Sequence, residues 1–274
     1  MHGNGMTSTF IRSFEQFEEK IFHTDTPDPT NRTNPTNQQN TEQHTTTTTR
    51  KKAMFADLTD PLFIKTAIVI ALTPIIWNII ARLEYYTHFL TKLAGGNKYY
   101  GCYALATYIF CFSAYRDYLF DQTMRSQAPW DLLASLSSIT HPVAYVLFAV
   151  GGIFVLSSMW ALGITGTYLG DYFGILMDAP VTSFPFNVLN DPMYDGACML
   201  FLSQALLKNS GAGVALTLWV FVCYRIALIF EGSFTAKIYA EKDKHAQKVN
   251  KASTTTSSPA TPSSEKKRKS KKLD

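Results

Sequence analysis

The segment PVAYVLFAVGGIFVLSSMWALGIT, residues 142–165, decides the fold. It lies within a longer stretch, from Leu132 to Gly170, that contains no Asp, Glu, Lys or Arg. The 24 residues 142–165, as an α-helix rising ~1.5 Å per residue, form a segment longer than the ~30 Å hydrocarbon core of a bilayer. Lipid offers no partners for open backbone groups, so the segment must cross as a helix. The sequence therefore predicts an integral membrane protein and excludes a soluble single-domain enzyme.

Composition divides the 274-residue chain into three parts. Only 17% of the residues are charged, against roughly a quarter in an average soluble domain. Residues 1–53 and 243–274 are polar and hold 24 of the 46 charged residues. Segments of such low hydrophobicity cannot bury a core, which predicts a disordered N-terminal extension and a disordered basic C-terminal tail. The membrane-embedded domain is then residues 54–242.

Four apolar runs within this domain predict an all-α bundle of about four transmembrane or intramembrane helices. The runs are residues 62–81, 99–115, 142–165 and 197–230. The fourth is interrupted by Lys208 to Gly211, so it is either one long helix or a hairpin of helices 197–207 and 211–230. The number of crossings depends on that choice.

Charge and cysteine patterns exclude several kinds of binding site. The net charge of +4 comes from the C-terminal tail, because residues 54–242 carry ten Lys or Arg and twelve Asp or Glu. The Lys cluster from Lys266 to Lys272 favours a tail facing anionic lipid over a nucleic-acid surface. The four cysteines lie in apolar runs without CxxC spacing or clustered histidines, so no metal site or disulfide framework is expected.

The segment 163–196, GITGTYLGDYFGILMDAPVTSFPFNVLNDPMYDG, gathers polar residues beside the third run. Its first four glycines are three, four and four residues apart, a spacing that predicts one small-residue face for helix packing. No GxGxxG motif follows a strand, so a Rossmann-type nucleotide site is disfavoured. Any ligand here is expected to be bound by helices. The four glycines are Gly163, Gly166, Gly170 and Gly174.

Glu231 ends the last apolar run at the predicted membrane boundary. A carboxylate there is either an ordinary helix-end charge or a ligand for a cationic group. Its position alone favours neither interpretation.

Three strings resemble the phospholipid methyltransferase family over roughly residues 58–242. They are WNIIARLEYYTHFLTKLAGG at 77–96, LSSMWALGITGTYLGDYFGILMDAPVTSFPFNVLNDPMYDG at 156–196 and IALIFEGSFTAKIYAEK at 226–242. The resemblance implies an enzyme that moves methyl groups from S-adenosylmethionine to the ethanolamine nitrogen of phosphatidylethanolamine or its mono- and dimethyl derivatives, ending at phosphatidylcholine. It also implies a multi-pass protein of the endoplasmic reticulum membrane, with a mitochondrial membrane as an additional location. A non-catalytic membrane adaptor and a related methyltransferase with another substrate are the rival interpretations.

The resemblance also implies residues that bind the methyl donor. The Gly-x-Gly of the family falls on Ala149 to Gly151, so only Gly151 matches, and a one-residue shift brings in Gly152. The Glu-Glu pair of the family falls on Glu231 and Gly232, so only Glu231 matches. The missing second acid puts any role that needs two carboxylates in doubt.

The string DPMYDG resembles an element of the related isoprenylcysteine carboxyl methyltransferases that encloses the donor. This likeness adds Pro192, Tyr194 and Gly196 to the expected donor site.

Methyl transfer to an amine needs alignment of the reacting atoms and a group that accepts the proton of the nitrogen. Asp171 and Asp191, in the motif-rich segment, are the candidate proton acceptors. Arg82 and Glu84 follow the first apolar run, where they either orient the lipid phosphate or pair with each other at the interface.

Overall fold

The computed structural model describes residues 55–256, and these form seven α-helices and one 3-10 turn without a β-strand. The N-terminal extension and residues 257–274 of the tail, for which disorder is predicted, lie outside the described residues. The helices are α1 (Pro61–Thr87), α2 (Phe89–Leu93), α3 (Lys98–Ser126), α4 (Asp131–Ser135), α5 (Ser137–Thr167), α6 (Pro192–Leu207) and α7 (Gly211–Thr256), and the 3-10 turn is Gly170–Phe173.

Three stretches are long and apolar enough to cross a membrane: Pro61–Thr87, Ser137–Phe173 and Gly211–Lys244. Large apolar side chains such as Ile79, Val146 and Ile229 are exposed along them, as expected for faces that contact lipid. The predicted all-α membrane fold is confirmed.

The fourth apolar run is a hairpin of α6 and α7. Its turn holds Asn209 in the left-handed conformation, with φ 49°, which a short polar side chain tolerates well. The Oγ of Ser210 then accepts a hydrogen bond of 3.0 Å from the backbone N–H of Gly213 and caps the start of α7. Gly213 packs against Ala205 across the hairpin. Of the two alternatives that the sequence leaves open, the hairpin is correct.

The long helices alternate in direction, which gives the bundle two distinct ends. At the distal end, where α1 begins, the backbone N–H of Asp57 donates to the side chain of Gln127 at 2.8 Å. At the loop end, which carries residues 174–191, Tyr85 of α1 donates to Glu241 of α7 at 2.7 Å. The chain therefore enters the bundle at the distal end and leaves it at the loop end.

Buried side chains of α1, α3, α6 and α7 form the centre of the bundle, including Ile70, Phe120, Phe201, Leu216 and Val220. In lipid, van der Waals packing rather than exclusion of water holds such helices together. This packing positions the inward faces of α6 and α7.

The predicted small-residue face of segment 163–174 is wrong. Gly163 has φ 65° and ψ 179°, a conformation open essentially only to glycine, and it breaks the axis of α5. Leu169 and Gly174 then adopt left-handed conformations on either side of the 3-10 turn. The segment therefore folds back over the bundle, and the four glycines do not share one helix face.

Helix α7 continues to Thr256, beyond residue 242, where the sequence predicts the end of the membrane-embedded domain. The segment AEKDKHAQK, residues 240–248, consists largely of good helix formers with charges of both signs. The existing helix extends through it without the cost of a new nucleus.

Candidate active site

A cavity of about 550 Å³ lies at the loop end, among α3, α5, α6, α7 and the folded-back segment. Its volume lies within the range of ~300–1,000 Å³ that is usual for small-molecule sites. Most lining side chains are apolar or aromatic, while the charged ones are four acids and one cation: Asp117, Asp171, Asp191, Glu231 and Arg116.

Glu231 joins three helices at the wall of this cavity. Its Oε1 accepts hydrogen bonds from Trp77 Nε1 at 2.6 Å and from Asn78 Nδ2 at 2.8 Å, both on α1. Its Oε2 accepts from the hydroxyl of Tyr194 on α6 at 2.6 Å. All three donors are neutral, so they fix the carboxylate without cancelling its charge. Since an ionised carboxylate has about four acceptor positions, Glu231 keeps capacity for a cationic ligand.

Tyr194 supports Glu231 from the first turn of α6. Burial raises the pKa of the Tyr194 hydroxyl well above its ordinary value. The hydroxyl therefore stays protonated and donates a hydrogen bond to Glu231. The ring of Tyr194 meets that of Tyr224 edge-on, with centroids 5.0 Å apart. Pro192 also lines the cavity and starts α6, where its fixed φ suits the first helical position.

Asp171 provides a second carboxylate close to Glu231. Its Oδ2 accepts a hydrogen bond of 2.6 Å from Thr235 Oγ1. Thr235 is four residues after Glu231 on α7, and residues at this spacing are neighbours on one helix face, with Cβ atoms roughly 5–6 Å apart. The fold thus brings two acids together that lie 60 residues apart in the sequence.

Asp191 lines the same cavity in a different electrostatic setting. Its Oδ2 lies 3.7 Å from Arg225 Nη1, and Arg225 also forms an ion pair with Asp195. Asp191 is therefore engaged by a cation, whereas the hydrogen-bond partner of Asp171 is neutral.

The three glycines predicted for the donor site do not line the cavity. Helices α5 and α6 are in close contact where Gly151 meets Gly196. A Cβ on Gly151 would lie 2.7 Å from the backbone oxygen of Gly196. A Cβ on Gly152 would meet no heavy atom within 4 Å. Gly232, where the family has its second acid, does line the cavity and also has open space beside it.

Arg82 and Glu84 lie outside the cavity and do not pair with each other. Arg82 Nη2 donates to the backbone oxygen of Phe230 at 3.0 Å, and its guanidinium lies 4.9 Å from the ring centroid of Phe234. The carboxylate of Glu84 is 0% exposed and accepts from backbone N–H groups of α2. Of the two alternatives that the sequence leaves open, the structure does not show the pairing, and a role in orienting the lipid phosphate stays a prediction.

Sequence reasoning missed Arg116 and Asp117 on α3. The Nε of Arg116 donates to Asp117 Oδ1 at 2.9 Å, and its Nη1 donates to the Tyr224 hydroxyl at 2.7 Å. The signal was available, because two adjacent charges directly follow the second apolar run and α3 continues through them. Ionisable groups inside a helical membrane bundle usually face its interior.

The site residues suit a ligand that carries positive charge. Glu231 and Asp171 supply negative charge, and the aromatic rings of Trp77, Tyr194 and Tyr239 line the same space, where ring faces attract cations. Within residues 55–256, no group of three His, Cys, Asp or Glu side chains is placed to hold a metal ion.

Fold and site together define an integral membrane protein with an acid-lined cavity at one end of its helical bundle. Comparison with known proteins identifies the family: residues 139–242 match the family model of the phospholipid methyltransferases. The chain is 49% identical over 195 residues to a phosphatidyl-N-methylethanolamine N-methyltransferase of Emericella nidulans, covering 71% of this chain and 93% of that protein. It belongs to the phospholipid methyltransferase family and is a membrane methyltransferase.

Other relatives extend the similarity beyond filamentous fungi. A phosphatidyl-N-methylethanolamine N-methyltransferase of Saccharomyces cerevisiae is 51% identical over 171 residues, which are 62% of this chain and 82% of that protein. A phosphatidylethanolamine N-methyltransferase of Homo sapiens is 40% identical over 198 residues, covering 71% and 96% of the two chains. No solved structure matches the chain. The family assignment favours an enzyme over the non-catalytic adaptor.

Proposed function

We propose that this protein transfers methyl groups from S-adenosylmethionine to the amine of phosphatidylethanolamine and of its mono- and dimethyl derivatives, producing phosphatidylcholine. Both kinds of relative support the substrate class, since their names include phosphatidylethanolamine and its monomethyl form. The observation that carries the proposal is the Glu231 carboxylate, which is held by three neutral donors at the wall of a cavity open to a cationic ligand.

Glu231 and Tyr194 are the residues that would hold the methyl donor, with Trp77 contributing an aromatic face beside the carboxylate. When bound, the donor supplies a methyl group on a positively charged sulfur. A fixed negative charge attracts such a cation, and the surrounding apolar walls exclude water that would screen the attraction. This role needs one carboxylate, so the glycine at position 232 does not preclude it.

Asp171 is the better placed of the two candidate proton acceptors. The amine of the lipid must lose a proton before its lone pair can attack the methyl carbon, and a carboxylate next to the nitrogen can accept that proton. Asp171 lies on the cavity wall next to Glu231 with a neutral partner, Thr235. Asp191 is already paired with Arg225. We therefore assign proton acceptance to Asp171.

The test is an assay of membranes containing the full chain, with labelled S-adenosylmethionine and each of the three lipids in turn. Asp171→Asn is expected to lower kcat by about 10²-fold, the lower limit of typical general-base effects, whereas Asp191→Asn has a smaller effect. Asp131→Asn is the matched control, because Asp131 is exposed on α4 at the distal end. Absence of labelled product from all three lipids with the wild-type chain would overturn the proposed function. Equal turnover of Asp171→Asn and wild type would overturn only the assignment of the base.

We also propose the endoplasmic reticulum membrane as the location, with a mitochondrial membrane as an additional location. The last four residues, Lys271 to Asp274, resemble a dilysine retrieval signal and lie outside the described residues. Fractionation of cells expressing the wild type and the Lys271→Ser/Lys272→Ser variant is the test. The wild type is expected in endoplasmic reticulum membranes and the variant is expected to be depleted from them. Absence of the wild type from endoplasmic reticulum membranes would overturn the proposed location.

A further inference from the structure

Arg116 is the only Lys or Arg among the cavity-lining residues that the structure describes. It is 6% exposed and lies on α3, in the interior of the helical bundle. A buried charge in such a position is costly, so its partners and its orientation indicate what it serves. The other charged residues of the lining are all acids.

The partners of Arg116 leave part of its guanidinium unused. A guanidinium has five N–H donors in a rigid fork. Nε binds Asp117 and Nη1 binds the Tyr224 hydroxyl, while the ring of Phe201 lies 5.1 Å from the guanidinium carbon. Among the described residues, no acceptor binds Nη2, and this atom is not sealed off from the cavity that Arg116 lines. The fork is thus oriented by protein groups and keeps donors for an oxyanion.

Arg116 lies deeper in the bundle than Glu231. Tyr224, its partner on α7, precedes Glu231 by seven residues, which is about two helical turns or ~10 Å along the helix axis. Glu231 lies toward the loop end, where the chain leaves the bundle. The carboxylates of Glu231 and Asp171 therefore lie nearer the loop end than the guanidinium of Arg116, which is paired with Asp117.

This order matches the order of groups in an ethanolamine phospholipid. The amine is outermost, the phosphate follows, and the acyl chains extend into the hydrocarbon. We infer that Arg116 binds the phosphate of the lipid substrate, an inference that rests on the proposed function. The carboxylate of the methyl donor presents the same oxyanion chemistry and is the alternative source.

Steady-state kinetics of Arg116→Gln and Arg116→Lys distinguish the two sources. If Arg116 binds the lipid phosphate, Arg116→Gln raises the KM for the lipid by about 10- to 100-fold, since a hydrogen bond to a charged group contributes ~1.5–3 kcal/mol. The KM for S-adenosylmethionine then stays within about twofold of the wild-type value. Arg116→Lys keeps the charge but loses the planar fork, so it has an intermediate KM for the lipid. A raised KM for the donor with an unchanged KM for the lipid would overturn the inference.

Arg125→Gln is the matched control, because Arg125 also lies on α3 and pairs with an acid, Asp121, but has a side chain that is 58% exposed and lies outside the cavity. A second probe is a lipid that carries the ethanolamine group without the phosphate. Wild-type enzyme is expected to use this probe poorly, and Arg116→Gln is expected to use it as well as wild type does. If Arg116→Gln does not fold, the lipid KM of Arg116→Lys decides the matter, and a wild-type value would overturn the inference. Wild-type turnover of the phospholipid tests the proposed function separately.

Discussion

Two acidic side chains near the loop end of the bundle, Glu84 and Glu231, are held in different ways. Glu84 accepts from the backbone N–H groups of Leu90 at 2.7 Å and Thr91 at 3.3 Å, and from the hydroxyl of Thr91. These bonds cap the start of α2, directly after His88 has turned the chain with φ 54°. Glu231 instead accepts from side chains of two other helices and keeps one side on the cavity.

The difference separates a structural acid from a site acid. Glu84 satisfies N–H groups at a helix start that have no intrahelical partner, and no part of it is open to a ligand. Glu231 uses neutral side-chain donors, which fix its position and leave its charge available. Burial alone ranks Glu84 above Glu231 as a candidate functional acid, whereas the identity of the hydrogen-bond partners favours Glu231.

Glu231→Gln is expected to show the largest effect on catalysis. The substitution removes the negative charge and turns an amide N–H₂ toward donors of Trp77, Asn78 or Tyr194. We expect kcat/KM to fall by about 10²- to 10³-fold, the usual loss when a preorganised electrostatic group of an active site is removed. Glu241→Gln on the same helix is the control, since Glu241 also accepts from a tyrosine, Tyr85, but lies outside the cavity. A comparable fall in kcat/KM for Glu241→Gln would contradict the distinction between an acid on the cavity wall and a structural acid.

Glu84→Gln is expected to lower stability and leave substrate binding unchanged. A glutamine at this position cannot accept from all three donors, and a buried donor left without a partner costs about 1–3 kcal/mol. For a domain of this size such a loss corresponds to a drop in Tm of roughly 5 °C. Thermal melting of the solubilised protein, combined with KM values of the folded fraction, provides the measurement. A changed KM at unchanged Tm would place Glu84 in the active site.

The glycines of α5 extend the comparison to packing. At Gly151 the space for a Cβ is already filled by the backbone of Gly196, whereas at Gly152 it is open. Gly151→Ala is therefore expected to cost about 1–3 kcal/mol of stability through overpacking. Gly152→Ala is expected to be neutral or slightly stabilising, since alanine favours the helix by up to ~1 kcal/mol. Equal melting temperatures for the two variants, with donor binding lost only in Gly151→Ala, would favour donor binding over packing at Gly151.

The sequence predicted the features that depend on local patterns. Apolar length predicted the helices around residues 62–81 and 142–165, and the break at Lys208 offered the hairpin as one of two alternatives. Resemblance selected Glu231 and Tyr194, which line the cavity. The role of Gly163 was not predictable, because spacing suggests a helix face but carries no information on a φ of 65°.

Contacts between residues that are far apart in the chain could not be predicted from the sequence either. Trp77 and Glu231 are 154 residues apart, and only the packing of α1 on α7 brings them together. Arg116 and Asp117 were overlooked because charges at the end of an apolar run resemble ordinary interfacial charges, although the helix continues through them. The contact of Asp171 with Thr235 explains how the site obtains a second carboxylate that the local motif lacks.

Gly232→Glu is expected to have the smallest effect and sharpens the comparison most directly. This change installs the second acid of the family at a position that lines the cavity, where a Cβ would meet no heavy atom within 4 Å. Replacing glycine within a helix favours the helix by up to ~1 kcal/mol, which offsets the repulsion between the new carboxylate and Glu231. We expect kcat/KM to change by less than about threefold, because Asp171 already provides a carboxylate beside Thr235, which lies one helical turn from Glu231. Gly232→Gln is the control of equal size and no charge. If Gly232→Glu raised kcat/KM about tenfold and Gly232→Gln did not, Asp171 would not substitute for the missing acid. The position of a carboxylate on α7, rather than the identity of its hydrogen-bond partners, would then determine whether it acts in the cavity.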